Sequence, residues 1–169
     1  IRIPSLLDSG SIDNMFYLIT EWIDKGSVNY EITDQSKTSI SRQMGSILSD
    51  IHQTTVPIGA IGMGQTVDYK WNRFFREWLI HNGEDVKKNY SDIGSDIMEC
   101  VYNCDIPELT SSVISPMDYH YGNCIIQNGE VVSVIDFERC FGGHPMWSYA
   151  VSKRIIGING DGKSFREGY

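Results

Sequence analysis

The run Cys124-Ile125-Ile126-Gln127-Asn128-Gly129-Glu130-Val131-Val132-Ser133-Val134-Ile135-Asp136 constrains the fold more than any other part of the chain. Asn-Gly between two runs of strand formers predicts a β-hairpin over residues 124–136 with a two-residue turn. Gln127 then faces Glu130, and Asn123 faces Val134. Side chains directly opposite share a face, and so do positions two apart on one strand. Asn123 and Asp136 are therefore expected on one face at the open end, diagonal neighbours roughly 7–8 Å apart. Two oxygen ligands at that separation can hold one hard cation such as Mg²⁺ between them. Asp118, five residues before Asn123, sits on the loop 116–123 that leads into the same end.

An Asp, an Asn five residues later and a second Asp beyond a hairpin is the spacing of phosphoryl-transfer enzymes. In that chemistry Asp118 orients the attacking hydroxyl and accepts its proton, while Asn123 and Asp136 hold the metal that bridges the phosphates. The Asp-to-Asn spacing by itself equally fits an Asx-turn with a capping carboxylate. The hairpin and the following Phe137 favour the first reading.

The rest of the chain reads as strands, helices, hairpin and helix, which makes the class α+β. Residues 1–7 and 15–23 are strand-like around a turn at Asp8-Ser9-Gly10-Ser11 with Asp13-Asn14. Met15–Ile23 is aromatic and β-branched enough for a buried strand that ends at Asp24-Lys25-Gly26. Ile40, Met44, Ile47, Leu48 and Ile51 form a helical stripe, with Asp34 or Ser36 as its cap. Trp71, Phe74, Phe75, Trp78 and Leu79 form a second, stopping at Gly83. A third helix is expected from about Glu84 to Val101 through Val86, Tyr90, Ile93 and Ile97. These stripes are structural. Ser112-Val113-Ile114 is a short strand entering the loop.

With 169 residues the chain suits one domain rather than two. Hydrophobic residues at 41% and charged residues at 21% exclude disorder. No apolar run approaches the roughly 18 residues of a membrane span, and no signal peptide is visible, so a cytoplasmic protein is expected. The opening at Ile1, inside a strand-like pattern, reads as part of something larger. Fourteen basic against 22 acidic residues give a net charge of −8, which argues against nucleic acid; an acidic surface suits a cationic small molecule, but the charge alone fits better a soluble cytosolic protein of ordinary acidity. Lys87-Lys88 and Lys153-Arg154 are too small for a phosphate footprint. Cys100, Cys104, Cys124 and Cys140 match no zinc spacing and read as reduced, mostly buried thiols. His52, His81, His120 and His144 make no metalloprotease pattern.

The segment PMDYHYGNCIIQNGEVVSVIDFERCFGGHPMWSYA resembles the catalytic core of the aminoglycoside phosphotransferase and choline kinase family, whose fold is protein-kinase-like. The family pattern is H-G-D-x-x-x-x-N, a hairpin, D-[FW]-[ED], then G-D-P-x-x-D-L-A. Ser49-Asp50-Ile51-His52 matches the family's A-x-L-H, and Phe165–Tyr169 its F-x-x-x-Y. The resemblance implies an ATP- and Mg²⁺-dependent transfer to a hydroxyl of a small cationic molecule, such as an aminoglycoside or amino alcohol. It also implies that residues 1–26 end a small lobe at a nucleotide hinge, and that 27–169 form a helical large lobe. The Thr20 and Trp22 backbone would hold the adenine edge, with Ile19 behind it. Asp118 would be the base, Asn123 and Asp136 the metal ligands, and His120 and Glu138 supporting groups.

Four positions depart from the pattern. Pro116 and Met117 replace His-Gly, His144 replaces the Asp of G-D-P, and Ser148 replaces the later Asp, so both braces of the catalytic loop are expected to be missing. Gly59, Gly62 and Gly64 make no phosphate-covering loop. A binding module of the same fold without transfer activity is therefore a second reading. A third comes from Gly157-Ile158-Asn159-Gly160-Asp161-Gly162-Lys163-Ser164, which fits the P-loop pattern with Arg154-Ile155-Ile156 as its strand. As a connection between helices, with Ser164 capping the last one, the same segment fits the kinase-like layout instead.

Overall fold

The computed structural model describes residues 3–13, 15–23, 33–58, 60–61, 65–66 and 70–169. The expected turn at Asp24-Lys25-Gly26, the lobe boundary at 26–27 and the glycines 59, 62 and 64 lie outside these residues.

Leu6–Ile12 (β1) and Met15–Thr20 (β2) pair as an antiparallel two-stranded sheet. Asp8–Ser11, expected as a turn, is strand, and the chain reverses near Asp13, whose φ is 50°. Gly10 is required where it crosses Tyr17. A Cβ there would lie 2.7 Å from the phenol oxygen, which donates to the Asp8 carboxylate at 3.2 Å. β2 is not the buried strand its composition predicts: Phe16 is 90% exposed and Leu18 68%. Among the described residues the sheet has no third strand, so its apolar side chains stay at the surface.

Asp34–Ile51 (α1) is capped by Thr33, ahead of both expected caps, its Oγ1 accepting the Ser36 N–H at 3.3 Å. Its stripe behaves as expected: Ile40, Met44, Ile47 and Leu48 are buried. Short strands follow at Thr55–Val56 (β3), Ala60–Ile61 (β4) and Gln65–Thr66 (β5). Trp71–Asn89 (α2) runs through Gly83 instead of stopping there. A Cβ at Gly83 would strike the Met98 sulfur, so the glycine serves close packing against Ser91–Asn103 (α3). The break at Tyr90, φ −143°, divides the helix expected over 84–101, and α3 turns Met98 and Val101 inward.

Ser112–Pro116 (β6) pairs with β3 and with a later strand, Cys140–Gly143 (β9), in an antiparallel sheet of order β3-β6-β9-β4-β5. Cys124–Gln127 (β7) and Glu130–Val134 (β8) make the hairpin. Asn128 and Gly129 turn it at φ 51° and 79°, a type I′ geometry. Pro145–Asn159 (α4) is capped by His144, whose Nδ1 accepts the Met146 N–H at 3.1 Å.

Gly162–Gly168 (α5) closes the described chain. Asp161, not Ser164, caps it, accepting the Lys163 and Ser164 N–H groups at 3.0 Å each. These bonds, that of Ser164 first, lower the Asp161 pKa to about 2. Residues 154–156 are helix, so the P-loop pattern lacks its strand, and two N–H groups that would cradle phosphate are already held by a carboxylate. Ile40, Met44 and Leu48 of α1 meet Tyr119, Cys124, Ile156 and Phe165 in one core. Trp71, Phe74, Phe75 and Trp78 surround Trp147 in a second, as the stripe predicts.

Candidate active site

Two loops lie side by side. One carries Asp118 to Asn123 and the other Ile135 to Arg139. They are tied at both ends: Met117 N–H donates to the Arg139 carbonyl at 2.9 Å, and Ile135 N–H to the Asn123 carbonyl at 2.9 Å. This brings Asp118, His120 and Asn123 together with the segment that bears Asp136 and Glu138.

The hairpin register that suggested this grouping is only half right. Gln127–Glu130 and Ile126–Val131 pair as read, but a bulge then shifts the partners, and Cys124 faces Val134. Asn123 therefore pairs with Ile135, one residue short of Asp136. Strict alternation would turn Asp136 away from Asn123. Asp136 instead adopts φ 63°, a left-handed conformation uncommon outside glycine, which ends the strand and its alternation before an exposed carboxylate. Burial, and secondarily the negative charge of Asp136, push the Cys140 thiol up to about 12. Cys124, fully buried, is likewise raised to about 12. Cys100 is exposed, contrary to the expectation that the thiols are mostly buried.

Asn123 is buried, and its Nδ2 donates to the Asp118 carbonyl at 2.8 Å. That bond fixes the amide orientation, so that Oδ1 is the acceptor end of the side chain. An Asn oxygen and an Asp carboxylate suit a hard cation that keeps most of its remaining ligands from water and phosphate. These are the donor types Mg²⁺ takes, although among the described residues no group of three or more His, Cys, Asp or Glu is placed to hold a metal ion. Asp118 and His120 are both partly exposed, with His120 Nε2 3.3 Å from Asp118 Oδ1.

The loop is anchored from below by the residues between its polar groups. Tyr119, 1% exposed, gives its hydroxyl to the Met44 carbonyl of α1 at 2.9 Å. Tyr121 shares a short hydrogen bond with buried Ser41 on the same helix. The sequence marked Tyr119 and Tyr121 only as loop residues. The signal available was their alternation with Asp118, His120 and Gly122, one face polar and the other aromatic.

The absent braces have substitutes. Pro116 pairs with Cys140 at the end of β6, and Met117 packs in the aromatic core. Ser148, fully buried, bonds His52 Nε2 at 2.8 Å, and Tyr169 bonds His52 Nδ1 at 2.9 Å. Ser148 Oγ also donates to the Pro145 carbonyl at 3.3 Å. It therefore accepts from Nε2–H, and Tyr169 donates to Nδ1. Burial first, then the neighbouring His144, lowers the His52 pKa to about 4. The hinge residues lie elsewhere in the chain: Ile19 and Thr20 end β2, and Trp22, 74% exposed, follows it. The structure does not place them against Asp118.

A family model described as the phosphotransferase enzyme family matches residues 1–169. The chain belongs to that family. No curated protein matches the sequence. Among solved structures, a thermostable mutant of aminoglycoside phosphotransferase APH(4)-Ia in complex with ADP and hygromycin B is 19% identical at a TM-score of 0.60, over 88% of this chain and 54% of its own. A complex of the same enzyme with AMP-PNP and hygromycin B is 18% identical at 0.63, over 87% and 53%. The streptomycin–ATP complex of APH(2″)-IIa is 15% identical at 0.53, over 99% and 64%. These likenesses establish the fold, that of the kinase-like aminoglycoside phosphotransferases. The chain spans between about half and two thirds of the length of these proteins. Among the described residues no helix is long and apolar enough to cross a membrane.

Proposed function

We propose that the intact protein transfers the γ-phosphoryl group of ATP to a hydroxyl of a small cationic molecule, an aminoglycoside or amino alcohol. The observation that supports this reading is the pair of loops tied at both ends, one bearing Asp118 and Asn123 and the other Asp136. Asp118 orients the acceptor hydroxyl and takes its proton as the new phosphate ester forms and ADP leaves. Asn123 Oδ1 and the Asp136 carboxylate are the groups that would hold Mg²⁺. Bound there, the ion would neutralise charge on the phosphates as the bond to the leaving oxygen breaks. The Thr20 and Trp22 backbone would receive the adenine edge beside Ile19. Glu138, exposed on the Asp136 loop, adds negative charge facing a cationic acceptor. The net charge of −8 favours such a ligand over an anionic one.

The replaced braces favour a second reading, a module that binds nucleotide without transferring phosphate. Both readings require the metal-binding pair. Mg²⁺-ATP should therefore raise the thermal midpoint of the intact protein, by the equivalent of about 2.7 kcal/mol at a hundredfold excess over the dissociation constant. Asp136→Ala should remove that protection. Equal protection of wild type and variant would eliminate the metal role.

A further inference from the structure

The His120 ring is engaged at both nitrogens. Nδ1 accepts the Gly122 N–H at 2.9 Å, capping the 3₁₀ turn Tyr121–Asn123. A ring nitrogen that accepts carries no hydrogen, so the hydrogen of the neutral ring sits on Nε2. Nε2 is the atom 3.3 Å from Asp118 Oδ1. That is a contact rather than a closed hydrogen bond. Catalytic hydrogen bonds of free enzymes are commonly long and tighten in the substrate complex.

We propose that His120 is a positioning residue for Asp118: its Nε2–H holds Oδ1 and so turns Oδ2 toward the acceptor hydroxyl. The backbone of the same loop supplies the control, because the Gly122 N–H selects the tautomer that can donate. The role rests on the phosphotransfer reading and adds to it a residue that never touches substrate. The other possibility is that His120 only caps the turn.

Two substitutions separate the roles. His120→Asn sets a side-chain oxygen near the Nδ1 position, so the cap survives and the group facing Asp118 is lost. His120→Gln sets an N–H donor near Nε2 and gives up the cap. The measurement is ADP release from Mg²⁺-ATP by the intact protein with hygromycin B, streptomycin and choline offered as acceptors, beside thermal midpoints. His120→Asn should lower kcat roughly 10- to 100-fold with KM for ATP within about twofold and the midpoint unchanged. His120→Gln should keep most of kcat while melting a few degrees lower, about the effect of a lost cap. Wild-type kcat in His120→Asn, beside an Asp118→Asn variant that has lost turnover, would overturn this proposal and leave the phosphotransfer reading standing. Full turnover in Asp118→Asn would overturn both. A ¹⁵N spectrum of the ring gives an answer independent of turnover: hydrogen on Nε2 is expected, and hydrogen on Nδ1 would refute the proposal.

Discussion

His52 carries a pH dependence whose sign follows from its surroundings. The fold keeps the ring neutral down to about pH 4, whereas in the unfolded chain it takes up a proton near its usual 6.5. Between those values the unfolded state binds more protons, so stability rises with pH. The contribution is complete above pH 6.5 and is lost as pH falls toward 4, about 3 kcal/mol in all. Urea unfolding at pH 7, 5.5 and 4.5 should show this loss in wild type and a flatter profile in His52→Gln. Parallel profiles would remove His52 as the titrating group. The adjacency of the Asp118–Asn123 loop and the Asp136 segment was legible because the two are joined by a hairpin with a strong turn signal. The bulge at Val132 was not, since it falls inside an unbroken run of strand formers with no Gly or Pro to mark it. The left-handed conformation of Asp136 is set by φ at one residue, which side-chain type does not encode.

The helices show which glycines matter. A Cβ at Gly45 of α1 would run into the Phe165 carbonyl and lie 2.7 Å from Tyr169 N, while one at Gly168 of α5 would meet the Arg42 carbonyl. The two helices thus touch backbone to backbone, and that contact holds Tyr169 against His52. Gly45→Ala should cost about 1–3 kcal/mol, since neither backbone can give way as a flexible side chain would. Gly157 is exposed in α4, and a Cβ there would meet only the Gly162 Cα at an ordinary 4.0 Å. Gly157→Ala should be neutral or stabilising by up to about 1 kcal/mol. Chemical denaturation measures both, and a destabilised Gly157→Ala variant would contradict the helix assigned to the P-loop pattern. Long helices were readable because several apolar positions repeat at one period. β3, β4 and β5 are two residues each, too short to show a period, and β9 contains two glycines. Pairing with β6 makes β9 a strand. The exposure of β2 was equally unreadable, because burial depends on a covering layer that the strand's own sequence does not specify.

Across the chain, two nucleotide sites compete on paper, and the structure separates them. The tied loops bear Asp118, Asn123 and Asp136, the groups we propose for phosphoryl transfer, while the Gly157–Ser164 pattern is two helices joined through a capping aspartate. Lys163 is exposed, 3.9 Å from Glu167, and its own backbone N–H is given to Asp161. The most direct discrimination is calorimetric ATP binding by the intact protein alongside phosphate transfer to aminoglycoside and amino-alcohol acceptors, for wild type, Asp118→Asn and Lys163→Ala. Asp118→Asn should lower turnover by about 10²–10⁴-fold with ATP affinity within about twofold, and Lys163→Ala should change neither. Loss of ATP binding in Lys163→Ala, with Asp118→Asn unaffected in both assays, would contradict the assignment and return the site to the P-loop.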